Sequence, residues 1–198
     1  MLHDIFLAFV PLFFAVDPIG LLPIFTSLTG DLSRAEKKKI ITQSLLTALC
    51  LAVGFIFFGK WILGLLGITI ADFMIAGGVI LFCLSMIDLM NLGKASSVSK
   101  ADLGAVPIGT PLVVGPAVLT LSLMLISLYG IGVTLIAVLL NLFIVGVVFM
   151  LSDRLISVLK ESGARVLSKV MALLLASIGV MMIRKGILEI LKTFTGGM

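Results

Sequence analysis

The segment 17–23 reads Asp-Pro-Ile-Gly-Leu-Leu-Pro and lies inside a stretch that is otherwise apolar enough to cross a bilayer. Proline lacks an N–H and clashes with the preceding helical turn, so Pro18 and Pro23 predict a break in the helix. The break would leave a cluster of free backbone amides around Gly20, with Asp17 beside them. An acid and unpaired amides in the middle of a membrane predict a site for a substrate or an ion.

A second segment, 110–116 (Thr-Pro-Leu-Val-Val-Gly-Pro), repeats the Pro-x4-Pro spacing of the first. All six prolines of the chain fall into two groups around these segments. Pro111 and Pro116 therefore predict a second broken helix, in which Gly115 allows close approach of another chain or a ligand. Thr110 stands in the place of the acid, so a site shared by both breaks would carry a single negative charge.

The two breaks together predict a pocket that suits a zwitterion. Amides on one wall would bind a carboxylate, whereas free carbonyls and Asp17 would bind an ammonium group or a cation. The side chains near both breaks are apolar, and no basic residue is close in sequence to attract a dicarboxylate. This pattern favours small neutral amino acids, and Asp17 is also the candidate for carrying H⁺ or helping to hold Na⁺.

The composition indicates where these segments lie. Of 198 residues, 61% are hydrophobic and 12% are charged, and the mean hydropathy is +1.33. These values exclude an ordinary soluble protein and indicate an all-α, polytopic membrane protein. The basic residues lie between apolar runs, so nucleic-acid binding is excluded despite the net charge of +4. The chain has one histidine, and its two cysteines lie within apolar runs. Neither a metal site nor a disulfide framework is therefore predicted.

Six apolar stretches are long enough, or nearly so, for the roughly 20 helical residues that cross a bilayer core. They cover about 5–28, 40–59, 70–90, 105–128, 131–152 and 166–190. Residues 60–67 are too few to span and predict a separate short helix at the membrane surface. Hydrophilic loops are predicted at 30–39, 94–102 and 152–165.

Lysine and arginine predict the orientation of these spans. Ten of the 14 basic residues lie on one side of the membrane in this arrangement. The other four are Lys60, Arg184, Lys185 and Lys192. By the positive-inside rule the richer side is cytoplasmic and both termini lie outside, in the cell inner or plasma membrane. Each half opens with a broken helix, which predicts a 3+3 inverted-topology repeat of residues 1–93 and 94–198 within one membrane domain.

Several interpretations stay open at this stage. Prolines also kink membrane helices for packing alone. Gln43 and Asn141 are predicted to form hydrogen bonds between helices, with substrate contact as the alternative, and residues 76–78 (Ala-Gly-Gly) predict close helix packing. Neither a Ser–His pair, a second acid beside Asp17 nor a nucleotide-binding loop is present, so no enzyme activity is expected.

The two proline motifs and residues 75–78 (Ile-Ala-Gly-Gly) resemble the MarC family (UPF0056-type) of six-span membrane proteins, and the resemblance runs over nearly the whole chain. It implies a secondary transporter of small neutral amino acids, such as glycine or alanine, that works by alternating access and is coupled to H⁺ or Na⁺. The wider relatives include exporters of the LysE type. An amino acid or drug exporter, or a channel or structural protein without saturable transport, therefore remains an alternative.

The resemblance also implies the residues of the substrate site. They are Asp17, Pro18, Gly20, Leu21, Pro23, Thr110, Pro111, Gly115, Pro116 and Thr120. Two positions depart from the family pattern: Leu21 replaces a residue that is often small and polar, and Ala117 replaces one that is often glycine. Both predict a drier and tighter pocket. No cofactor beyond a coupling ion is expected. The partners are the substrate and the lipid bilayer, and homo-oligomerisation is left open.

Overall fold

The computed structural model describes residues 2–30, 32–90 and 113–195, and its regular structure there is α-helical throughout. The helices are α1 (Leu2–Val16), α2 (Leu21–Thr29), α3 (Arg34–Leu65), α4 (Ile70–Met90), α5 (Pro116–Met150) and α6 (Ser152–Thr195). The all-α prediction is confirmed. The predicted loop at 94–102 and two predicted site residues, Thr110 and Pro111, lie outside the described residues.

Helices α3 to α6 each contain a stretch that is long and apolar enough to cross a membrane. Helix α1 is apolar but shorter, and α2 follows it after a break. Large apolar side chains cover the outside of the bundle: Phe58, Leu65 and Phe143 are each more than 60% exposed. So much exposed apolar surface is suited to lipid and not to water.

The first predicted span is broken where the prolines predict a break. Helix α1 ends at Val16 and α2 begins at Leu21, with a turn between them. Pro23 falls in the first turn of α2, where the proline's missing N–H removes no hydrogen bond. In the second half, α5 begins at Pro116, so that proline also opens a helix. The part of the fourth span that would precede this break lies outside the described residues.

Helix α5 folds back on itself at Gly130. This residue has φ 84° and ψ 168°, a backbone conformation open to glycine because it has no Cβ. Val118 and Leu142 line the same small void, although 24 residues of straight helix would separate them by about 36 Å. The segments 116–129 and 131–150 are therefore antiparallel neighbours, and they match the predicted fourth and fifth spans.

Three predictions about the polar segments are wrong. Helix α3 begins at Arg34 and runs unbroken to Leu65, so most of the predicted loop at 30–39 is helical and residues 60–67 form no separate helix. Helix α6 begins at Ser152, so the predicted loop at 152–165 is helical as well. The start of α3 has a local cause, because Ser33 and Glu36 form a capping box in which each side chain accepts the other's backbone N–H.

Two contacts bring α2, the end of α5 and the starts of α3 and α6 together at one end of the bundle. The rings of Phe25 in α2 and Phe149 at the end of α5 stack with centroids 4.3 Å apart. The Lys37 ammonium near the start of α3 donates to the Asp153 carboxylate near the start of α6 at 3.0 Å. At the other end, a cavity of about 390 Å³ lies between the start of α4, the middle of α5 and the end of α6.

Helices α4 and α6 cross where two glycines face each other. A Cβ built on Gly78 would lie 2.7 Å from the Gly179 carbonyl oxygen, and one built on Gly179 would lie 2.7 Å from the Gly78 carbonyl oxygen. The contact is therefore reciprocal and joins backbone to backbone. Close backbone approach of this kind is what small residues provide between membrane helices. The prediction that residues 76–78 allow close packing is confirmed.

We expect Gly179→Ala to destabilise the protein by about 1–3 kcal/mol, because its Cβ would meet backbone atoms that cannot rotate away. Thermal unfolding of the purified protein in detergent measures the effect. The matched control is Gly54→Ala, since a Cβ at Gly54 has no atom within 4 Å and alanine is the better helix former. Equal unfolding temperatures for the two variants would contradict the crossing.

Candidate functional site

The turn that breaks the first span is built around Asp17. Its N–H donates to the Phe13 carbonyl at 3.0 Å, which continues the pattern of α1 by one residue. Its φ is then +46°, and it is the one positive-φ residue other than glycine among those described. Aspartate tolerates this left-handed region better than most residues, because its short polar side chain can bond locally.

The Asp17 side chain makes that local bond. Its Oδ1 accepts the Gly20 N–H at 3.0 Å. The next two amides also have partners, since Leu21 N–H donates to the Asp17 carbonyl and Leu22 N–H to the Ile19 carbonyl, both at 3.1 Å. The predicted cluster of free amides at this break is therefore wrong for this conformation. A compact turn brings the carboxylate and two carbonyls onto the amides that the proline motif releases.

Gly20 is packed directly against this carboxylate. A Cβ at position 20 would lie 2.7 Å from Asp17 Cγ and still closer to its Oδ2. Any larger residue would push the carboxylate off the Gly20 N–H. The pairing of aspartate with glycine three residues later thus holds the acid in place. Pro18, between them in the turn, is buried.

The second break has a different geometry. Gly115 is extended, with φ −82° and ψ 178°, and Pro116 starts α5 directly after it. The Gly115 carbonyl accepts the N–H groups of Val118 and Leu119 at 3.0 and 3.2 Å. The N-cap residue is glycine, so it has no side chain with which to cap this helix start. An uncapped N-terminus with the positive end of the helix dipole attracts negative charge.

The two breaks lie next to each other in space. Val16, directly before Asp17, and Val114, directly before Gly115, line one small void. The other residues around it are Leu12, Val118, Val138, Asn141 and Leu142. The void has no room for a water molecule. Segments that are almost 100 residues apart in the chain thus meet at one apolar contact.

Thr120, in the second turn of α5, is 1% exposed and lies against Gly77 of α4. A Cβ at position 77 would lie 2.7 Å from both the Cβ and the Cγ2 of Thr120, and nearer still to its Oγ1. Gly77 therefore allows α4 to contact the helix that follows the second break. The sequence pointed to packing at residues 76–78 but did not indicate which helix Gly77 would face.

Asn141 adds a polar group beside the two breaks. It is 1% exposed, and its Nδ2 donates to the Phe9 carbonyl of α1 at 3.3 Å and to the Ala137 carbonyl at 2.9 Å. The predicted hydrogen bond between helices is confirmed for Asn141. Its Oδ1 is buried and has no hydrogen-bond partner within the described part of the chain. For Gln43 the same prediction is wrong, because this residue is exposed on α3.

A cavity of about 390 Å³ lies one helical turn beyond the Gly77–Thr120 contact. Met74 and Met124 form its inner wall, and Ser127, Lys185 and Glu189 add polar groups nearer the end of the bundle. Sequence reasoning treated the lysines of this region only as topology signals. Their place beside a cavity could not be read from the chain, because three separate helices form its walls.

The described residues at the breaks offer few groups for covalent or metal chemistry. The breaks place one carboxylate, that of Asp17, near the start of α5. Across residues 2–30, 32–90 and 113–195, no three histidine, cysteine, aspartate or glutamate residues come together as a metal site would require.

Comparisons with known proteins identify the family. Residues 2–191 match the family described as MarC family integral membrane protein. The chain belongs to the MarC family. A UPF0056 membrane protein of Methanocaldococcus jannaschii is 30% identical over 201 residues, which cover 94% of this chain and 88% of the relative. UPF0056 membrane protein YhcE of Escherichia coli is 30% identical over 197 residues, which cover 90% of this chain and 89% of the relative.

These names place the chain in a family of integral membrane proteins and state no substrate. No solved structure matches the chain. Membership of the MarC family is what the sequence resemblance implied, and the family covers both proline motifs. The roles of the individual site residues stay predictions that rest on their placement in this structure.

We expect Gly77→Ala to cost about 1–3 kcal/mol of stability through its overlap with Thr120. The loss should be smaller in a Thr120→Ala background, because the Oγ1 and Cγ2 atoms are then absent. Thermal unfolding of the two single variants and the double variant measures the coupling. Gly132→Ala is the control, since a Cβ there meets no atom within 4 Å. Strictly additive effects of Gly77→Ala and Thr120→Ala would contradict the contact.

Proposed function

We propose that this MarC-family protein is a secondary transporter of small neutral amino acids, of the size of glycine or alanine, coupled to H⁺ or Na⁺. The observation that carries the proposal is Asp17, an acid held by Gly20 in the turn that breaks the first membrane span. An ionisable residue inside a membrane is costly and usually marks a substrate or ion pathway. A packing kink needs no acid.

The surroundings of Asp17 favour a small neutral substrate. Val16 and Val114 lie between the breaks, and the nearby Leu21 and Val113 are buried. Apolar walls exclude a large polar side chain, whereas the Asp17 carboxylate and the Ala117 end of α5 offer charges of opposite sign for an ammonium and a carboxylate group. Residue 21 is leucine and not a small polar residue. This favours a substrate that has few polar groups besides its ammonium and carboxylate.

We further propose that the chain is a 3+3 inverted repeat that works by alternating access. Two features support this arrangement. The broken helices lie side by side at the void lined by Val16 and Val114. The third and sixth spans cross at Gly78 and Gly179, each packed on the other's carbonyl, as a pair related by a two-fold axis would be.

Substrate binding at the breaks requires the void to widen, because it is now too small for a water molecule. Separation of α1 and α2 from the start of α5 would open it. The cavity beyond Gly77 and Thr120 would then serve as the entrance from the end of the bundle that the basic residues predict to be outside. In this mechanism the opposite end opens when the halves rock the other way.

Binding of radiolabelled glycine and alanine to the purified protein tests the proposal. We expect saturable binding by the wild type. Asp17→Asn should weaken it by roughly ten- to a hundred-fold, because an amide keeps the hydrogen bond from Gly20 but removes the charge that an ammonium group or a coupling ion needs. Flux into proteoliposomes at several pH values, with and without Na⁺, identifies the coupling ion.

Asp72→Asn is the matched control. Asp72 is exposed at the start of α4 and accepts hydrogen bonds from the Thr69 N–H and hydroxyl, so this variant also neutralises a helix-end carboxylate but lies away from the breaks. We expect its binding to equal that of the wild type. If no small amino acid binds saturably, the substrate assignment is wrong. Ion conductance without saturation would favour a channel.

Gly20→Ala separates the position of the carboxylate from its charge. The new methyl group would displace the Asp17 carboxylate without neutralising it. We expect glycine binding to fall by roughly ten-fold, the value of one charge-assisted hydrogen bond. The same binding assay measures the effect, with Gly54→Ala as the control for a glycine-to-alanine change away from the site. Unchanged binding would show that the Asp17–Gly20 pairing plays no part in substrate recognition.

A further inference from the structure

A second cavity, of about 520 Å³, lies at the end of the bundle opposite the proposed entrance. It is bounded by the first turns of α3, the end of α5 and the start of α6. Among the described residues, four basic side chains line it against a single acid, Asp153; the basic residues are Arg34, Lys37, Lys38 and Arg154. The positive-inside rule requires basic residues on this side of the membrane, but it does not require them to line one cavity.

The charges within this cavity are only partly balanced. Lys37 donates to both carboxylate oxygens of Asp153, at 3.0 and 3.3 Å, so these two residues neutralise each other. Within the described ranges, the side chains of Arg34, Lys38 and Arg154 have neither a hydrogen-bond nor an ion-pair partner. Three cationic groups therefore remain available to one ligand at this place.

Apart from Ser152, the other described residues of the cavity wall are apolar. Ile41 and Phe149 are almost fully buried behind it, at 3% and 1% exposure. Met150 and Leu151 also line it but are 61% and 39% exposed, so they continue onto the outer surface of the bundle. The cavity thus joins a basic rim to the apolar surface that faces lipid.

We propose that this cavity binds the phosphate headgroup of an anionic phospholipid, with the acyl chains lying along Met150 and Leu151. The three unpaired cations match a phosphate group, and arginine can bind its oxygens in pairs. Basic pockets between membrane helices on the cytoplasmic side suit anionic headgroups, and the predicted orientation places this end there. A free phosphate ion would make no use of the apolar wall. The site is separate from the breaks and does not rest on the proposed transport function.

Native mass spectrometry of the full chain in neutral detergent, titrated with phosphatidylglycerol, tests the proposal, with phosphatidylcholine as the neutral lipid. We expect saturable binding of phosphatidylglycerol, binding of phosphatidylcholine at least about ten-fold weaker, and a rise in unfolding temperature with phosphatidylglycerol alone. The double variant Arg34→Gln/Lys38→Gln should lose roughly ten-fold or more in affinity.

The matched control is Lys39→Gln/Lys60→Gln, which removes two positive charges from the same helix at positions outside the cavity. We expect its affinity for phosphatidylglycerol to stay within about two-fold of the wild type, since no direct contact is lost. Arg154→Gln, from a different helix, is the second cavity variant and should also weaken binding. It keeps the test valid if the first double variant fails to fold.

Two results would overturn the lipid site. Equal loss in the cavity and control variants would mean that overall charge and not this cavity attracts the lipid. Competition by inorganic phosphate at concentrations comparable with the lipid, or equal stabilisation by phosphate alone, would mean that the cavity binds a free anion.

Discussion

Backbone N–H and C=O groups inside a bilayer must find hydrogen-bond partners within the protein, because hydrocarbon offers none. In its described part, this structure satisfies the constraint with long helices and, at the first break, with a hydrogen-bonded turn. At the first break, the Asp17 carboxylate accepts the Gly20 N–H that the helix would otherwise have satisfied. One residue thus completes the backbone bonding of the break and carries its charge. Any ligand that takes the Gly20 amide must first displace Asp17.

Close helix contacts follow from the same environment. Lipid tails are as apolar as leucine, so helices in a membrane associate through packing and not through burial from water. The contacts of α4 show this, because Gly78 faces Gly179 of α6 and Gly77 faces Thr120 of α5. Helix α4 therefore connects the helix that follows the second break to the last span.

The two ends of the bundle differ in their charge. One end has a cavity lined by Arg34, Lys38 and Arg154, which have no side-chain partner among the described residues, next to exposed Met150 and Leu151. The other has a cavity in which Lys185 and Lys192 are accompanied by Glu189. The described lining of the first cavity is therefore more basic than that of the second. Phe149, which lines the first cavity, also stacks on Phe25 of α2, the helix that follows the first break.

The sequence by itself determined the helical class, the membrane setting and the position of the first break, since apolar length and proline act locally. It also pointed to Asp17 as a candidate site residue and to the MarC family. It did not determine that Ser33 would start α3 at residue 34, that Asn141 would bond to Phe9, or that the amides after Asp17 would be satisfied within the turn. Only the tertiary structure decided which residues meet at the breaks, because Val16, Val114 and Asn141 come from three distant segments. Their contact depends on how whole helices pack, which no local pattern of residues specifies.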